Sequence, residues 1–170
     1  MPERAGARDD FDIYFPAITS VSSTPANAAS SDGIRGGHET ILLADDEQVV
    51  GRLGETILKR HGYRVLVAAD GVQALQIFRT RHQEIDLVIL DLSMPQLSGA
   101  ETLRELRKID PGARALISSG YSSDEDLRSI DREGVLGFVG KPYRPADLAQ
   151  QVRAALDKIQ EQKAQAERSG

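Results

Sequence analysis

Acidic, hydroxyl and basic residues directly follow apolar runs in this sequence, at points where strands would end. Asp45 and Asp46 follow the first run and Asp91 the third, while Ser119 and Lys141 follow the fourth and fifth. Ligands of parallel sheets bind beyond the carboxyl ends of the strands, so these side chains would converge on one edge. Any one Asp there is also an ordinary helix N-cap, and a lone Ser or Lys is an ordinary surface residue. Only their conjunction indicates a site.

Three carboxylates gathered on one edge would repel each other. Two carboxylates about 4 Å apart repel by roughly 4 kcal/mol at an effective dielectric near 20, against a total domain stability of about 5–15 kcal/mol. A divalent cation removes that cost, and together with Lys141 it brings the formal charge of the cluster to zero. Oxygen ligands with no His or Cys favour Mg²⁺, which readily holds a phosphate. The cluster therefore favours phosphoryl chemistry.

The elements that must position these residues alternate along the chain from Thr40 onward. Apolar runs typical of buried parallel strands are separated by amphipathic segments with helical periodicity. Such βα units predict right-handed crossovers and a doubly wound parallel sheet. The predicted strands are 41–44, 64–68, 87–90, 115–118 and 135–139, and the predicted helices are 47–61, 71–80, one that ends near 109, 123–133, and one that starts at 145.

The first two predicted helices each carry an apolar stripe that we expect to face the sheet. Glycines at positions 51 and 54 interrupt the first helix, and each costs roughly 1 kcal/mol relative to Ala. The expected inward residues are Val50, Leu53, Ile57 and Leu58 in the first helix, and Val72, Leu75 and Phe78 in the second.

Composition narrows the class of protein without indicating its chemistry. The chain has 170 residues, of which 40% are hydrophobic, and it contains no cysteine, so disulfides and thiolate metal sites are excluded. A net charge of -5 argues against a nucleic-acid partner, which would require a basic face. No run is long enough to span a bilayer, and no signal peptide is recognisable. We therefore expect no membrane partner and a cytoplasmic location.

Five motifs occur in order along the chain: ILLADDE at 41–47, LDLSMP at 90–95, SG at 98–99, SSGY at 118–121 and GFVGKP at 137–142. Together they resemble the motifs of the receiver domain of two-component response regulators, and the resemblance covers residues 40–156. It implies an α/β, flavodoxin-like, doubly wound five-stranded parallel sheet of strand order 2-1-3-4-5 with helices on both faces.

The resemblance also implies the metal ligands and the nucleophile. Asp91 matches the phosphoacceptor and also contributes to the metal site. Asp46 matches the residue that binds Mg²⁺ directly, and Asp45 the one that binds it largely through water. The backbone carbonyl of Ser93 would complete the protein ligands.

The remaining motif residues would act on the phosphoryl group and on the switch. Lys141 would pair with one phosphoryl oxygen, and Ser119 would donate its hydroxyl to another. Phe138 would be the aromatic switch residue whose rotation follows Ser119. The peptide before Pro142 is expected to be cis, which would aim Lys141 into the site. Ser119 and Phe138 replace the commoner Thr and Tyr of the family, which leaves phosphorylation intact. Ser119 keeps the hydroxyl but lacks a methyl group that limits rotation, and Phe138 lacks a phenolic hydrogen bond.

The family implies a phosphohistidine donor, either a sensor histidine kinase or a histidine phosphotransfer protein, and an unknown downstream protein. It also allows a phosphorylation-dependent homodimer. The chain is not expected to be a kinase, because no Gly-rich ATP lid is present and His38, His61 and His82 do not lie on a phosphorylatable helix. It is expected to catalyse its own phosphotransfer and autodephosphorylation. The surface that would change comprises the helix at 123–133, the fifth strand and the last helix.

The flanks divide the chain into four predicted segments. Residues 1–18 resemble the last strand of a histidine-kinase ATP-binding domain, and a disordered leader with a chance apolar cluster is the alternative. Residues 19–38, rich in Ser, Ala and Gly, are predicted to be a flexible linker, as in hybrid histidine kinases. The receiver would span 39–158 and a solvated helical tail 159–170, with no DNA-binding domain after it.

The sequence also allows two rival functions. The first is a receiver-like interaction module that binds its partner without being phosphorylated. The second is a phosphohydrolase of the haloacid-dehalogenase type, which would need a second Asp two residues after Asp91, where this sequence has Ser93. A nucleotide site is disfavoured because the turn after the first strand is not glycine-rich.

Overall fold

The computed structural model describes residues 35–120 and 134–168. The predicted segment 1–18, most of the linker and the predicted helix at 123–133 lie outside the described residues. Five parallel strands form one sheet in the order β2-β1-β3-β4-β5, which confirms the expected topology. The strands are β1 (Thr40–Ala44), β2 (Arg64–Ala68), β3 (Leu87–Asp91), β4 (Ala115–Ser119) and β5 (Val135–Gly140).

Four α-helices connect or follow these strands within the described residues. They are α1 (Gln48–Arg60), α2 (Gly71–Arg81), α3 (Gly99–Ile109) and α4 (Pro145–Arg168), with a short 3-10 turn at His82–Glu84. In the described ranges, no helix has the length and apolarity needed to cross a membrane.

The sheet has a hydrophobic core on each face, because successive side chains of a strand point to opposite sides. Ile41 and Leu43 of β1 pack in one core with residues of α1 and α4. Leu42 and Ala44 pack in the other core with residues of α2 and α3. Both faces of the sheet are thus covered by helices, which explains why β1, β3 and β4 are buried at every position.

Local signals set the ends of the helices. Ser98 caps α3 in a reciprocal capping box with Glu101. The Asp70 side chain accepts a hydrogen bond from the Gln73 N–H at the start of α2. Gly62 follows α1 with φ 92°, a left-handed conformation that favours glycine.

The predictions that Leu53 and Val72 face the sheet are wrong. Leu53 is 42% exposed and Val72 is 39% exposed. In α1 the buried positions are instead Gly51 and Gly54, together with the expected Ile57 and Leu58. In α2 the buried positions besides Phe78 are Gly71 and Ala74. A Cβ atom at Gly54 or Gly71 would collide with neighbouring atoms, so α1 and α2 lie close against their neighbours at these two glycines.

Candidate metal and phosphoryl site

The carboxyl ends of β1, β3 and β4 bring the sequence-predicted residues to one edge of the sheet. Asp45 directly follows β1, while Asp91 is the last residue of β3 and pairs in register with Ser118 of β4. Asp45 and Asp91 are both buried, with 2% and 4% of their surface exposed. Two carboxyl groups are therefore held in a largely water-excluded position where β1 and β3 end.

Asp46 joins these two residues to form an acidic cluster. Asp45, Asp46 and Asp91 each offer a carboxylate oxygen, and these three oxygens all lie within 4.8 Å of one another. Asp46 is exposed, so the cluster is open to solvent on its side. Three oxygen ligands around one point, with an open side for water, are the donor set that Mg²⁺ prefers. The residues present therefore fit a hard divalent cation.

Lys141 supplies the positive charge of the cluster. Its Nζ lies 2.9 Å from Asp91 Oδ2 and 3.0 Å from Asp45 Oδ2, and its side chain is only 9% exposed. The more distant Glu47 Oε1, at 3.4 Å, belongs to an exposed side chain. The Lys141 N–H donates to the Ser119 carbonyl at 2.8 Å, and the Lys141–Pro142 bond is cis, as expected. The ammonium thus bridges the two buried carboxylates.

Burial and mutual repulsion shift the ionisation of the cluster. Burial raises the pKa of Asp45, although hydrogen bonding to Lys141 opposes the rise. Burial, followed by interaction with Asp91, raises the pKa of Asp46. Burial alone would lower the pKa of Lys141, but its hydrogen bonds to Asp91 and Asp45 outweigh that effect and raise it. Lys141 therefore stays charged, and the acidic cluster carries more negative charge than one ammonium neutralises.

The loop after Asp91 is closely packed under the carboxylate. The Leu92 N–H donates to the Ser118 carbonyl at 2.9 Å, and the Gly99 N–H donates to the Leu92 carbonyl at 3.2 Å. A Cβ atom on Gly99 would collide with the backbone oxygen of Asp91, so glycine is required there. The Ser93 N–H lies 3.4 Å from Asp91 Oδ1. Backbone contacts therefore fix the position of the chain from Asp91 to Ser93.

The two predicted switch residues have different environments. Ser119 ends β4 beside the cluster and is 9% exposed. Phe138 lies in β5, which is the edge strand next to β4, and is 39% exposed. An aromatic ring with this much exposure has room to change its rotamer, whereas Ser119 is confined.

Two hydroxyl groups of the site, those of Tyr143 and Ser118, were not predicted from the sequence. The Tyr143 hydroxyl lies 3.0 Å from Ser118 Oγ and 3.4 Å from Asp45 Oδ2. Burial raises the pKa of Tyr143, so that it remains a protonated donor at neutral pH. A tyrosine two residues after Lys141, at a strand end that already carries charged residues, was the available signal. Its apolar ring was consistent with a purely hydrophobic role.

Comparison with known proteins agrees with this geometry. A family model described as the response regulator receiver domain matches residues 41–153. The sensor kinase CckA of Brucella abortus (strain 2308) is 38% identical over 122 residues, which are 72% of this chain and 13% of that protein. The chain spans less than half the length of the curated relatives it matches first.

Solved structures show the same fold. A response regulator receiver domain from Clostridium thermocellum superposes with a TM-score of 0.67 at 31% identity, covering 72% of this chain and 97% of that one. A chain of the CheX–CheY–BeF3–Mg²⁺ complex of Borrelia burgdorferi superposes with a TM-score of 0.64 at 26% identity. That match covers 68% of this chain and 87% of that one.

Proposed function

Because this chain belongs to the response regulator receiver domain family of two-component systems, we propose that Asp91 is its phosphoacceptor. One observation carries the assignment. Asp91 ends the central strand β3 and is buried among two further carboxylates, with the Lys141 ammonium 2.9 Å from its Oδ2. Phosphoryl transfer needs a positioned nucleophile and charge neutralisation more than covalent help from the protein, and this edge provides both.

The transfer is an in-line displacement at phosphorus. A carboxylate oxygen of Asp91 attacks the phosphorus of a phosphohistidine, and an O–P bond forms as the N–P bond breaks. The imidazole leaves with the electron pair of that bond. Lys141 neutralises charge on a phosphoryl oxygen as the group arrives. Water later attacks the same phosphorus, which releases inorganic phosphate and restores the Asp91 carboxylate.

Mg²⁺ is the cofactor that the acidic cluster would hold, through Asp45, Asp46, Asp91 and the backbone carbonyl of Ser93. When bound, the ion offsets negative charge on the phosphoryl oxygens. The Borrelia complex, which contains BeF3 and Mg²⁺, supports this assignment by analogy. Exposure of Asp46 supports it as well, because a ligand at the open side can be reached by a hydrated ion.

The response to phosphorylation would pass through Ser119 and Phe138. Ser119 would donate its hydroxyl to a phosphoryl oxygen, and the exposed ring of Phe138 would follow its movement. Receiver domains interact with histidine kinases or phosphotransfer proteins. The donor is therefore a phosphohistidine of one of these two classes, and the receiver unit would span residues 39–158. The downstream protein and a phosphorylation-dependent homodimer belong to the same proposal.

Acetyl phosphate provides the direct test, because it replaces the protein donor. Intact-mass spectrometry of the full chain with acetyl phosphate and Mg²⁺ should show one added phosphoryl group, absent in Asp91→Asn and in chelator. Asp147→Asn, the same change on an exposed residue of α4, should label like wild type. Unchanged labelling in Asp91→Asn would refute the assignment. No labelling of wild type would favour a receiver that acts by binding alone.

A further inference from the structure

Tyr143 forms a second set of contacts to the acidic cluster that the family motifs do not account for. It is 4% exposed, and its ring packs in the core that β1 shares with α1 and α4. Its hydroxyl nevertheless reaches polar atoms, 3.4 Å from Asp45 Oδ2 and 3.0 Å from Ser118 Oγ. A buried hydroxyl is costly unless it is hydrogen-bonded, so these contacts determine where the ring can lie.

The direction of these hydrogen bonds follows from the chemistry of the groups. An ionised carboxylate only accepts, so the Tyr143 hydroxyl donates to Asp45. The Ser118 hydroxyl can then donate to the Tyr143 oxygen, so that both hydroxyl groups are hydrogen-bonded. Ser118 is fully buried and pairs in register with Asp91. A chain of two hydroxyls therefore connects Asp45 to the strand beside the nucleophile.

Tyr143 is the third group that holds the Asp45 carboxylate in place, after the Glu47 N–H and Lys141. Asp45 Oδ1 accepts from the Glu47 N–H at 3.0 Å, and Oδ2 lies 3.0 Å from Lys141 Nζ. Lys141 is shared with Asp91, so it is not a dedicated partner of Asp45. Tyr143 has no such second carboxylate contact among the described residues. It is therefore the donor that stays on Oδ2 when Lys141 serves an incoming phosphoryl group.

We propose that Tyr143 is a positioning residue for the metal site, which holds Asp45 Oδ2 so that the acidic cluster keeps its ligand geometry. The proposal rests on the proposed function, since it names a residue that supports the same site. Partners that orient metal ligands contribute about 10–100-fold to metal affinity or activity. We expect a value near the lower end, because the 3.4 Å contact is long and Lys141 shares the oxygen.

Tyr143→Phe tests the proposal because it removes only the hydroxyl and keeps the buried ring. Titration of wild type and variant with Mg²⁺ alone, followed by nuclear magnetic resonance, should show a dissociation constant raised about tenfold in the variant. Tyr63→Phe is the matched control, since Tyr63 is 3% exposed and lies in the same core, before β2 rather than at the carboxyl edge. Its dissociation constant should stay within twofold of wild type.

A double-mutant cycle separates positioning from a general structural effect. In an Asp45→Asn background, Tyr143→Phe should have little further effect on Mg²⁺ binding, because its partner is already altered. Mg²⁺ affinity within twofold of wild type in Tyr143→Phe, or an equal loss in both backgrounds, would overturn the inference. Acetyl phosphate labelling of wild type separates the two proposals. If wild type labels on Asp91 and Tyr143→Phe binds Mg²⁺ normally, only the inference about Tyr143 fails.

Discussion

Lys141 makes a buried acidic site compatible with a folded chain. Its ammonium contacts Asp45 and Asp91 at 3.0 and 2.9 Å, so each buried carboxylate has one cationic partner. An unpaired buried charge would cost several kcal/mol, whereas a paired one approaches balance. The exposed Asp46 is left without a comparable partner in the part of the chain that the structure describes. The charge that Lys141 does not neutralise is what a cation would neutralise.

A second buried charge pair lies at the start of β1. Glu39 Oε1 lies 2.9 Å from Arg153 Nη1, and both side chains are mostly buried. Burial alone would raise the pKa of Glu39, but hydrogen bonds from backbone N–H groups and from Arg153 outweigh it and lower the pKa. Because the folded-state pKa lies below the unfolded value of about 4.3, the pair stabilises the protein fully above that pH. The stabilisation is lost as pH falls through the folded-state pKa.

Glu39→Gln should therefore destabilise the protein in a pH-dependent way. We expect the free energy of unfolding to fall by about 1–3 kcal/mol at pH 7, with the difference from wild type shrinking below about pH 4.3. Urea unfolding at a series of pH values measures this difference. Glu84→Gln is the control, since Glu84 pairs with Arg81 on an exposed surface and should show little change. A Glu39→Gln effect that is independent of pH would show that packing, not charge, is lost.

The first helix shows how packing at the level of elements overrides the hydrophobic pattern. The sequence predicted Leu53 on the inner stripe, but Gly51 and Gly54 occupy it. A Cβ atom on Gly54 would lie 2.9 Å from Leu43 Cδ2 and 3.0 Å from Tyr143 Cε2. At Gly51 the nearest atom would be Asp45 Cβ at 3.7 Å, an ordinary contact. Only Gly54 is required for the close approach of α1 to β1 and Tyr143.

Alanine at these two positions should therefore have opposite effects. Gly51→Ala should leave stability unchanged or raise it by up to about 1 kcal/mol through helix propensity. Gly54→Ala should lower it by about 1–3 kcal/mol, because the added methyl group overpacks the core. Thermal and urea unfolding of the two variants compare the same substitution in the same helix. Equal stabilisation by both would contradict the close contact with Leu43 and Tyr143.

At the scale of the molecule, the sequence predicted the sheet order and its covered faces through the resemblance to receivers. Strand positions came from apolar runs, and they agree with the structure to within one residue at either end. The buried positions Ile57, Leu58 and Phe78 were predicted correctly. The exposure of Leu53 and Val72 could not be predicted, because the apolar pattern does not show how closely a helix approaches its neighbours. The hydrogen bond from Tyr143 to Asp45 joins residues 98 positions apart, so no local pattern could show it.

Metal binding should stabilise the whole domain, because a ligand that binds only the folded state shifts the unfolding equilibrium. With a dissociation constant near 1 mM, 10 mM Mg²⁺ would add about 1.4 kcal/mol to the free energy of unfolding.

In chelator, Asp46→Asn should be at least as stable as wild type, because it removes the repulsion between Asp46 and Asp91. With Mg²⁺ it should gain much less than wild type. Urea unfolding with and without Mg²⁺ measures both effects, and Asp147→Asn, on exposed α4 surface, should respond like wild type. A full Mg²⁺ response in Asp46→Asn would place the ion elsewhere.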